Sequence, residues 1–301
     1  KKNNFNVIGI DPAVEIANKA TTDGIFTYPE FLSLELSKSI CNEQESIEIV
    51  SINNTFAHTD NLQYMIDCVK IMLEKSKGLF IFEVSYLLDV INKFLIGTIF
   101  HEHLSYHSLT SLKKFLEKNN FRLFNIIKNN IQGGSIICLC EYNNSKYKLD
   151  NIVNDLINYE KKVGITEHKI YKNFNRRLNY RKNRINLLLD NIRVNKHRLV
   201  GYGAARSGTT ILYQYEISKY LDFIVDENKY KHNKYMSGVN ILVKPVEEIY
   251  KNKIKYILIL AWVHSKAIIQ KHIDFINGGG SFIICYPKLQ IIDSGNLKKY
   301  I

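Results

Sequence analysis

The chain has 301 residues and a mass of 35.0 kDa, enough for two α/β domains. Its 46% hydrophobic and 23% charged residues, with only 4 prolines, exclude bulk disorder and collagen-like structure. The net charge of +12 draws anions, which points to nucleic acid or to a phosphorylated small molecule.

No uncharged apolar run approaches the roughly 18 residues of a membrane span. Lys1-Lys2-Asn3-Asn4-Phe5 leads straight into a strand-like run with no secretory apolar region, so a cytoplasmic compartment and no membrane partner are expected. Five cysteines, at 41, 68, 138, 140 and 285, are odd in number and irregular in spacing, which is no disulfide framework. They read as small buried hydrophobes. Basic residues are spread out except between Arg176 and Arg198. That stretch has no aromatic stacking platform, so nucleic acid is not an expected partner.

In chain order, Asn6–Ile10 predicts a strand closed by Asp11-Pro12, with a helix over Ala13–Ala20. Ile47–Ile52 predicts a strand, and Leu62–Leu73 has helical spacing. Leu79–Val84 is a strand, and Ser108 caps a helix that runs to Lys118. Strands follow at Phe121–Ile127 and Ser135–Cys140, with no helix between them and room to pair antiparallel at a sheet edge. Polar residues from Asn143 to Asp150 mark a boundary. Ile152 to Asn195 is helical, with Leu178, Ile185, Leu188 and Ile192 on one stripe. A second unit opens with the strand Arg198–Tyr202, a glycine-containing turn over Gly203–Gly208 and a helix over Thr209–Ser218. The strands Asp222–Val225, Tyr256–Ala261 and Ser281–Cys285 follow, with a helix after His264. The fold class is α/β: two Rossmann-like, doubly wound domains joined by a helical linker, with domains at 1–150, 151–197 and 198–301.

Three clusters carry chemistry. Asp11 closes a strand, where a nucleotide-binding sheet keeps an acid for ribose hydroxyls. The run Gly201-Tyr202-Gly203-Ala204-Ala205-Arg206-Ser207-Gly208-Thr209 joins a strand to a helix. Its glycines let backbone amides approach a phosphate, Arg206 and Thr209 add donors, and Asp226 closes the next strand. His101-Glu102-His103-Leu104-Ser105-Tyr106-His107 packs three histidines and a carboxylate into seven residues. Its spacing is not that of the helical zinc motif, and no metal site is expected. His58, Glu83 and Tyr86 follow strand ends, which converge where such sheets bind ligands. A histidine beside a carboxylate there suits general-base work, with structural hydrogen bonding as the alternative.

GIDPA, NNTFAHTDN, FEVSYLLD, IFHEHLSYHS, the Gly133-Gly134-Ser135 turn, LVGYGAARSG, DFIVDEN and Leu260-Ala261-Trp262 occur in that order. Together they resemble the S-adenosylmethionine-dependent C-methyltransferases that act on nucleotide-linked keto-deoxysugars, from about Val7 to Tyr286. The resemblance implies that His103 is the general base, with Glu102 as its partner, and that His58 lines the site or stabilises an enolate. Asp11 and Asn54 would bind S-adenosylmethionine. Glu83, Tyr86, Tyr202, Gly203, Arg206, Ser207, Gly208 and Thr209 would hold a nucleotide diphosphate sugar. This replaces the dinucleotide reading of the loop with a substrate reading.

The zinc that the family carries has no ligand cysteines here. The family's glycine-rich first strand would precede Lys1, which implies a truncated member or one half of a split protein with a separate N-terminal partner chain. Phe100 stands where the family has Tyr, Gly97 where Asp is common and Arg206 where Lys is frequent. The alternatives are a catalytically inactive nucleotide-sugar-binding remnant and an NAD-dependent oxidoreductase.

Overall fold

The computed structural model describes residues 5–251 and 253–300. Lys1–Asn4 and the outermost ends of the expected domains, at 1 and 301, lie outside these. The elements run β1 (Gly9–Ile10), α1 (Val14–Thr22), β2 (Thr27–Tyr28), α2 (Leu34–Glu43), β3 (Ile49–Asn53), α3 (Leu62–Leu73) and β4 (Leu79–Ser85). Next come α4 (Leu87–Asn92), α5 (Leu109–Lys118), β5 (Phe121–Asn129), β6 (Ser135–Tyr142), α6 (Asn151–Val163) and α7 (His168–Val194). The chain continues with β7 (Leu199–Tyr202), α8 (Arg206–Tyr215), β8 (Ile224–Val225), β9 (Tyr235–Met236), β10 (Ile241–Lys244), α9 (Glu248–Lys251) and β11 (Tyr256–Ile259). It closes with α10 (Ser265–Lys271), α11 (Ile273–Asn277), β12 (Ser281–Ile284) and β13 (Gln290–Ile292). This is a mixed α/β chain.

It divides into two compact units, residues 1–86 with 104–160 and residues 87–103 with 161–301. This division does not fall at the expected boundaries of 150 and 197. The first unit keeps most of α6 because Glu160, fully buried there, is the acceptor at the head of α5. It takes Leu109 N at 2.7 Å, Thr110 N at 2.8 Å and the Tyr86 hydroxyl at 2.9 Å. The second unit claims 87–103 because Phe94 packs on Phe174 of α7 at 4.9 Å. Arg177 also donates to the Ile91 carbonyl at 3.0 Å.

In the first unit, Asn61 caps α3 by accepting from Tyr64 N at 3.0 Å, and Ser108 caps α5 by accepting from Ser111 N at 3.2 Å. β3 and β4 are parallel, β6 lies antiparallel to β4, and β5 pairs with β6 at the edge, giving the order β3-β4-β6-β5. Phe56, Phe80, Phe82 and Phe121 form the buried core under this sheet. β1 and β2 form a separate parallel pair. The expected single doubly wound sheet is thus in two pieces here. β3 ends its sheet, and its residues alternate between exposed and half-buried, with Ile49 50% exposed.

In the second unit, seven strands lie in the order β13-β12-β11-β7-β8-β10-β9. The five parallel strands, counted along the chain, follow the order third, second, first, fourth, fifth, which is that of a doubly wound sheet reversing direction between its first and fourth strands. Tyr202 pairs with Val225 and Ile259, and Val225 with Lys244. The strands therefore end level, and the residues after them share one carboxyl edge. The core is apolar: Val200, Val225, Ile257, Ile259, Phe282 and Ile284 on strands, with Ile269 and Ile276 from helices.

α7 buries Ile185, Leu189 and Ile192. Of its basic residues, Arg181 serves packing, its guanidinium 4.1 Å from the Phe94 ring centroid. Gly164, at φ +70°, turns the chain between α6 and α7, which the sequence reading took as one helical stretch. α8 starts at Arg206, three residues earlier than expected, because Gly208 N and Thr209 N already bond back to the Ala205 carbonyl. Among the described residues, no helix is long and apolar enough to cross a membrane.

Candidate functional site

Several of the expected site residues fall at the carboxyl ends of strands in the first unit. Asp11 Oδ1 accepts Ala13 N at 2.8 Å, closing the turn that Pro12 stiffens. Among the described residues, its other oxygen accepts no hydrogen bond. Asn54, at φ +55°, follows β3 and donates its N–H to the Glu83 carbonyl at 3.1 Å. His58 is half-buried in the loop that follows. Glu83 is 6% exposed, and its Oε1 takes Asn129 Nδ2 at 2.7 Å and Ser135 Oγ at 2.5 Å. Tyr86 is fully buried, with its hydroxyl on Glu160. Glu83 and Tyr86, expected to touch substrate, are thus bonded inside the unit.

The HEHLSYH run divides between the units. His107 goes to the first, where it is buried against Phe56 and hydrogen-bonded through Nε2 to Ser105 Oγ at 2.9 Å. Burial pulls its pKa down to about 4, so it is neutral at pH 7. Its role is structural. His101, Glu102 and His103 belong to the second unit. His103 N bonds to the Phe100 carbonyl at 3.0 Å, and the two rings lie 4.3 Å apart. Glu102 Oε2 accepts from Arg206 Nη1, and Glu102 Oε1 stands 4.0 Å from His101 Nε2. Arg206 also covers the Phe100 ring at 5.5 Å. The base candidate and the anion loop, about a hundred residues apart in sequence, therefore meet within one unit.

The loop is built as its glycines suggest. Gly203 has φ +94°, and a Cβ there would lie 2.5 Å from Ala261 Cβ; at Gly208 it would lie 3.0 Å from Leu260 Cβ. Both glycines are required by packing as well as by any ligand. α8 has Ala205 at its N-cap, with no side-chain cap, so its first amides face outward unbonded by side chains. Ser207 is half-buried and Arg206 is 64% exposed on that turn. Thr209 Oγ1 donates to the Ser237 carbonyl at 3.3 Å.

Asp226, read as a ribose acid, is committed elsewhere. Its Oδ2 accepts Ala204 N at 2.7 Å and Lys231 Nζ at 3.2 Å, and its Oδ1 accepts Asn228 N at 2.8 Å. The carboxylate pins the loop instead of waiting for a dinucleotide, which removes the chief support for the oxidoreductase alternative.

Tyr202, expected at the substrate, turns its hydroxyl towards Glu227 at 2.9 Å and His272 at 3.0 Å. His272 and its neighbours carried no motif that the sequence reading could use, and neither did Glu160. Trp262 Nε1 is buried without an acceptor among the described residues, 3.1 Å from where a Cβ on Gly97 would stand. Among the described residues, no three His, Cys, Asp or Glu side chains converge to hold a metal. All five cysteines are free.

A family model described as the C-methyltransferase C-terminal domain matches residues 130–287, just over half of the chain. The chain belongs to this C-methyltransferase family. The methyltransferase is 28% identical over 289 residues to the C-methyltransferase NovU of Streptomyces niveus, across 96% of this chain and 69% of that one. It is also similar to the crystal structure of a SAM-dependent methyltransferase from Anabaena variabilis ATCC 29413. There the identity is 16% and the TM-score 0.37, over 47% of this chain and 70% of that one. The family match takes in the 203–209 loop of the C-methyltransferase, Asp226 and Trp262, and leaves His103 outside it.

Proposed function

We propose that this methyltransferase transfers a methyl group from S-adenosylmethionine to a carbon beside the ketone of a nucleotide-linked keto-deoxysugar, with His103 as general base. The observation that carries the reading is the Glu102–Arg206 pair. It holds the histidine segment at the head of an uncapped helix, where a diphosphate is favoured by backbone amides and by the helix dipole. An anionic handle and a base on one unit suit a substrate with phosphates at one end and a weakly acidic carbon at the other.

The chemistry follows from these parts. The amides of the first turn of α8, with Ser207 and Arg206, grip the diphosphate. His103, its ring set by Phe100, takes the proton from the carbon next to the ketone, and the electron pair moves onto the ketone oxygen as an enolate. When the diphosphate draws Arg206 from Glu102, that carboxylate is released to steady the imidazolium. His58 is the second candidate for the enolate or the base. S-adenosylmethionine supplies an electrophilic methyl group for the carbanion. Asp11 fits it, because its carboxylate ends a strand with one oxygen uncommitted, as ribose hydroxyls require. Asn54 would sit with it. Zinc does not fit the described residues, and no step runs through it.

The first unit is read as a methyltransferase sheet that lacks its central strand. Among the described residues, β1 and β3 each pair on one side only, and Ile16, Phe26 and Ile49 are half exposed or more. This favours a second reading, in which the chain by itself holds the nucleotide sugar. A parallel strand from an N-terminal partner chain, or from a longer form of the protein, then completes the cofactor side. A thermal-shift series with S-adenosylmethionine and several nucleotide sugars tests both readings. Stabilisation by a nucleotide sugar is expected under either, together with S-adenosylmethionine under the first and without it under the second. No stabilisation by any nucleotide sugar contradicts both.

A further inference from the structure

Two faces of the chain carry opposite charges that are not paired off, each beside exposed apolar side chains. The first is the outward face of α7. Seven residues make about two helical turns, so Tyr180, Leu187 and Val194 form one stripe. It lies on the side away from the buried Ile185, Leu189 and Ile192. Leu187 is 70% exposed and Val194 78%. A helix face that only meets water is polar at such positions. Lys169, Arg176 and Arg184 stand on the same exposed side, and the Arg184 guanidinium lies 5.8 Å from the Tyr180 ring centroid. Among the described residues none of these three is in an ion pair; the pairs that this stretch does form are Lys182–Glu216 and Arg198–Asp222. From 169 to 198 the sequence has ten basic residues and one acid, Asp190, which accepts the Tyr220 hydroxyl at 2.7 Å.

The second face belongs to the first unit. Residues 11–48 hold eight acids and two bases. Glu30 and Glu35 flank Phe31, 78% exposed, where the chain enters α2, and Glu15 and Asp23 are exposed on and just after α1. Among the described residues, none of these four carboxylates is in an ion pair.

The α7 face does not suit a second α7, because Lys169, Arg176 and Arg184 would meet their own kind, and like charges brought together at an interface repel. It suits an acidic surface with an apolar centre, and this chain carries one. We propose that the α7 face of one copy docks on the 15–35 face of a second copy, with Leu187 and Val194 against Phe31 and the arginines against Glu30 and Glu35. Each copy offers both faces, so the contact can repeat around a closed pair or ring.

Sedimentation velocity of the full chain at micromolar concentration and low salt tests it. Wild type is expected to sediment as a dimer or larger. Salt at about 1 M, which screens charges beyond roughly 3 Å, is expected to weaken the association tenfold or more. Arg176→Glu with Arg184→Glu gives a copy with two acidic faces, and Glu30→Lys with Glu35→Lys gives one with two basic faces. Each double variant alone is expected to be monomeric, and an equimolar mixture of the two to associate again. Leu187→Ser is expected to weaken the wild-type assembly several-fold, and melting curves report whether each variant folds. A monomeric wild type, an assembly that survives both double variants, or a mixture that stays monomeric overturns the proposal. So does a monomer that binds vesicles of anionic phosphatidylglycerol through Arg176 and Arg184, since the α7 face would then belong to a membrane surface.

Discussion

Glu102 is bound by Arg206, 104 positions away in sequence, and Arg206 covers the ring of Phe100 on which His103 rests. The pair joins the two clusters on which the proposed function rests. Its side chains are 37% and 64% exposed, so it adds little stability, about 0–1 kcal/mol. Arg206→Ala is therefore expected to leave the urea midpoint almost unchanged and to weaken nucleotide-sugar binding about tenfold. Arg206→Lys keeps the charge and loses the planar fork, and is expected to fall between. Calorimetry beside urea unfolding separates the two effects. A large loss of stability with unchanged affinity would make Arg206 a structural residue.

Tyr86 and Glu160 are expected to report on folding and not on substrate. Glu160 is wholly buried and serves four donors at the head of α5 and on Tyr86. Glu160→Ala strands those donors and is expected to cost about 3–5 kcal/mol. Tyr86→Phe removes one of those donors, leaving Glu160 Oε1 one hydrogen bond short, and is expected to cost about 1–2 kcal/mol, with nucleotide-sugar affinity unchanged. A Tyr86→Phe protein of normal stability and poor affinity would return Tyr86 to the substrate.

Much of this framework was legible in the sequence because its signals are local. α3 matches the helical spacing of Leu62–Leu73, and α5 starts at its Ser108 cap. β7 and the turn at Gly203 follow from an apolar run meeting a glycine. What stayed hidden depends on distant partners. Nothing near Leu87–His103 says that it packs with α7, because Phe94 and Phe174 are ordinary apolar residues until they meet. The Tyr202–His272–Tyr250 chain spans 70 residues and has no motif. The half-exposure of β3 goes with its place at the end of its sheet, which its own residues cannot report. Asp226 looked like a ribose acid, since an Asp at a strand end reads the same whether it holds a ligand or a backbone amide.

His107 gives the fold a pH dependence. Its pKa is about 4 when folded, through burial, and near 6.5 when unfolded. The unfolded chain therefore binds the extra proton first as pH falls. This contribution is complete above about pH 6.5 and shrinks down to about pH 4, by about 3 kcal/mol in all, then stays level. Urea unfolding of wild type and His107→Gln at pH 7 and pH 4.5 is expected to show the wild type losing about 2–3 kcal/mol more between the two. Equal losses would mean that His107 is charged or solvated in the folded protein.

The central claim is that His103 removes a proton from the carbon beside the ketone, and exchange of that proton with deuterated water tests it most directly. Exchange needs the base and the bound nucleotide sugar but no methyl donor, so it isolates one step. Wild-type protein is expected to catalyse it, and His103→Asn to slow it by about 10²–10⁴-fold, near 3–5 kcal/mol in the barrier, with nucleotide-sugar affinity held within a few-fold. Exchange at the wild-type rate in a folded, substrate-binding His103→Asn protein would contradict the account and move the search for the base to His58.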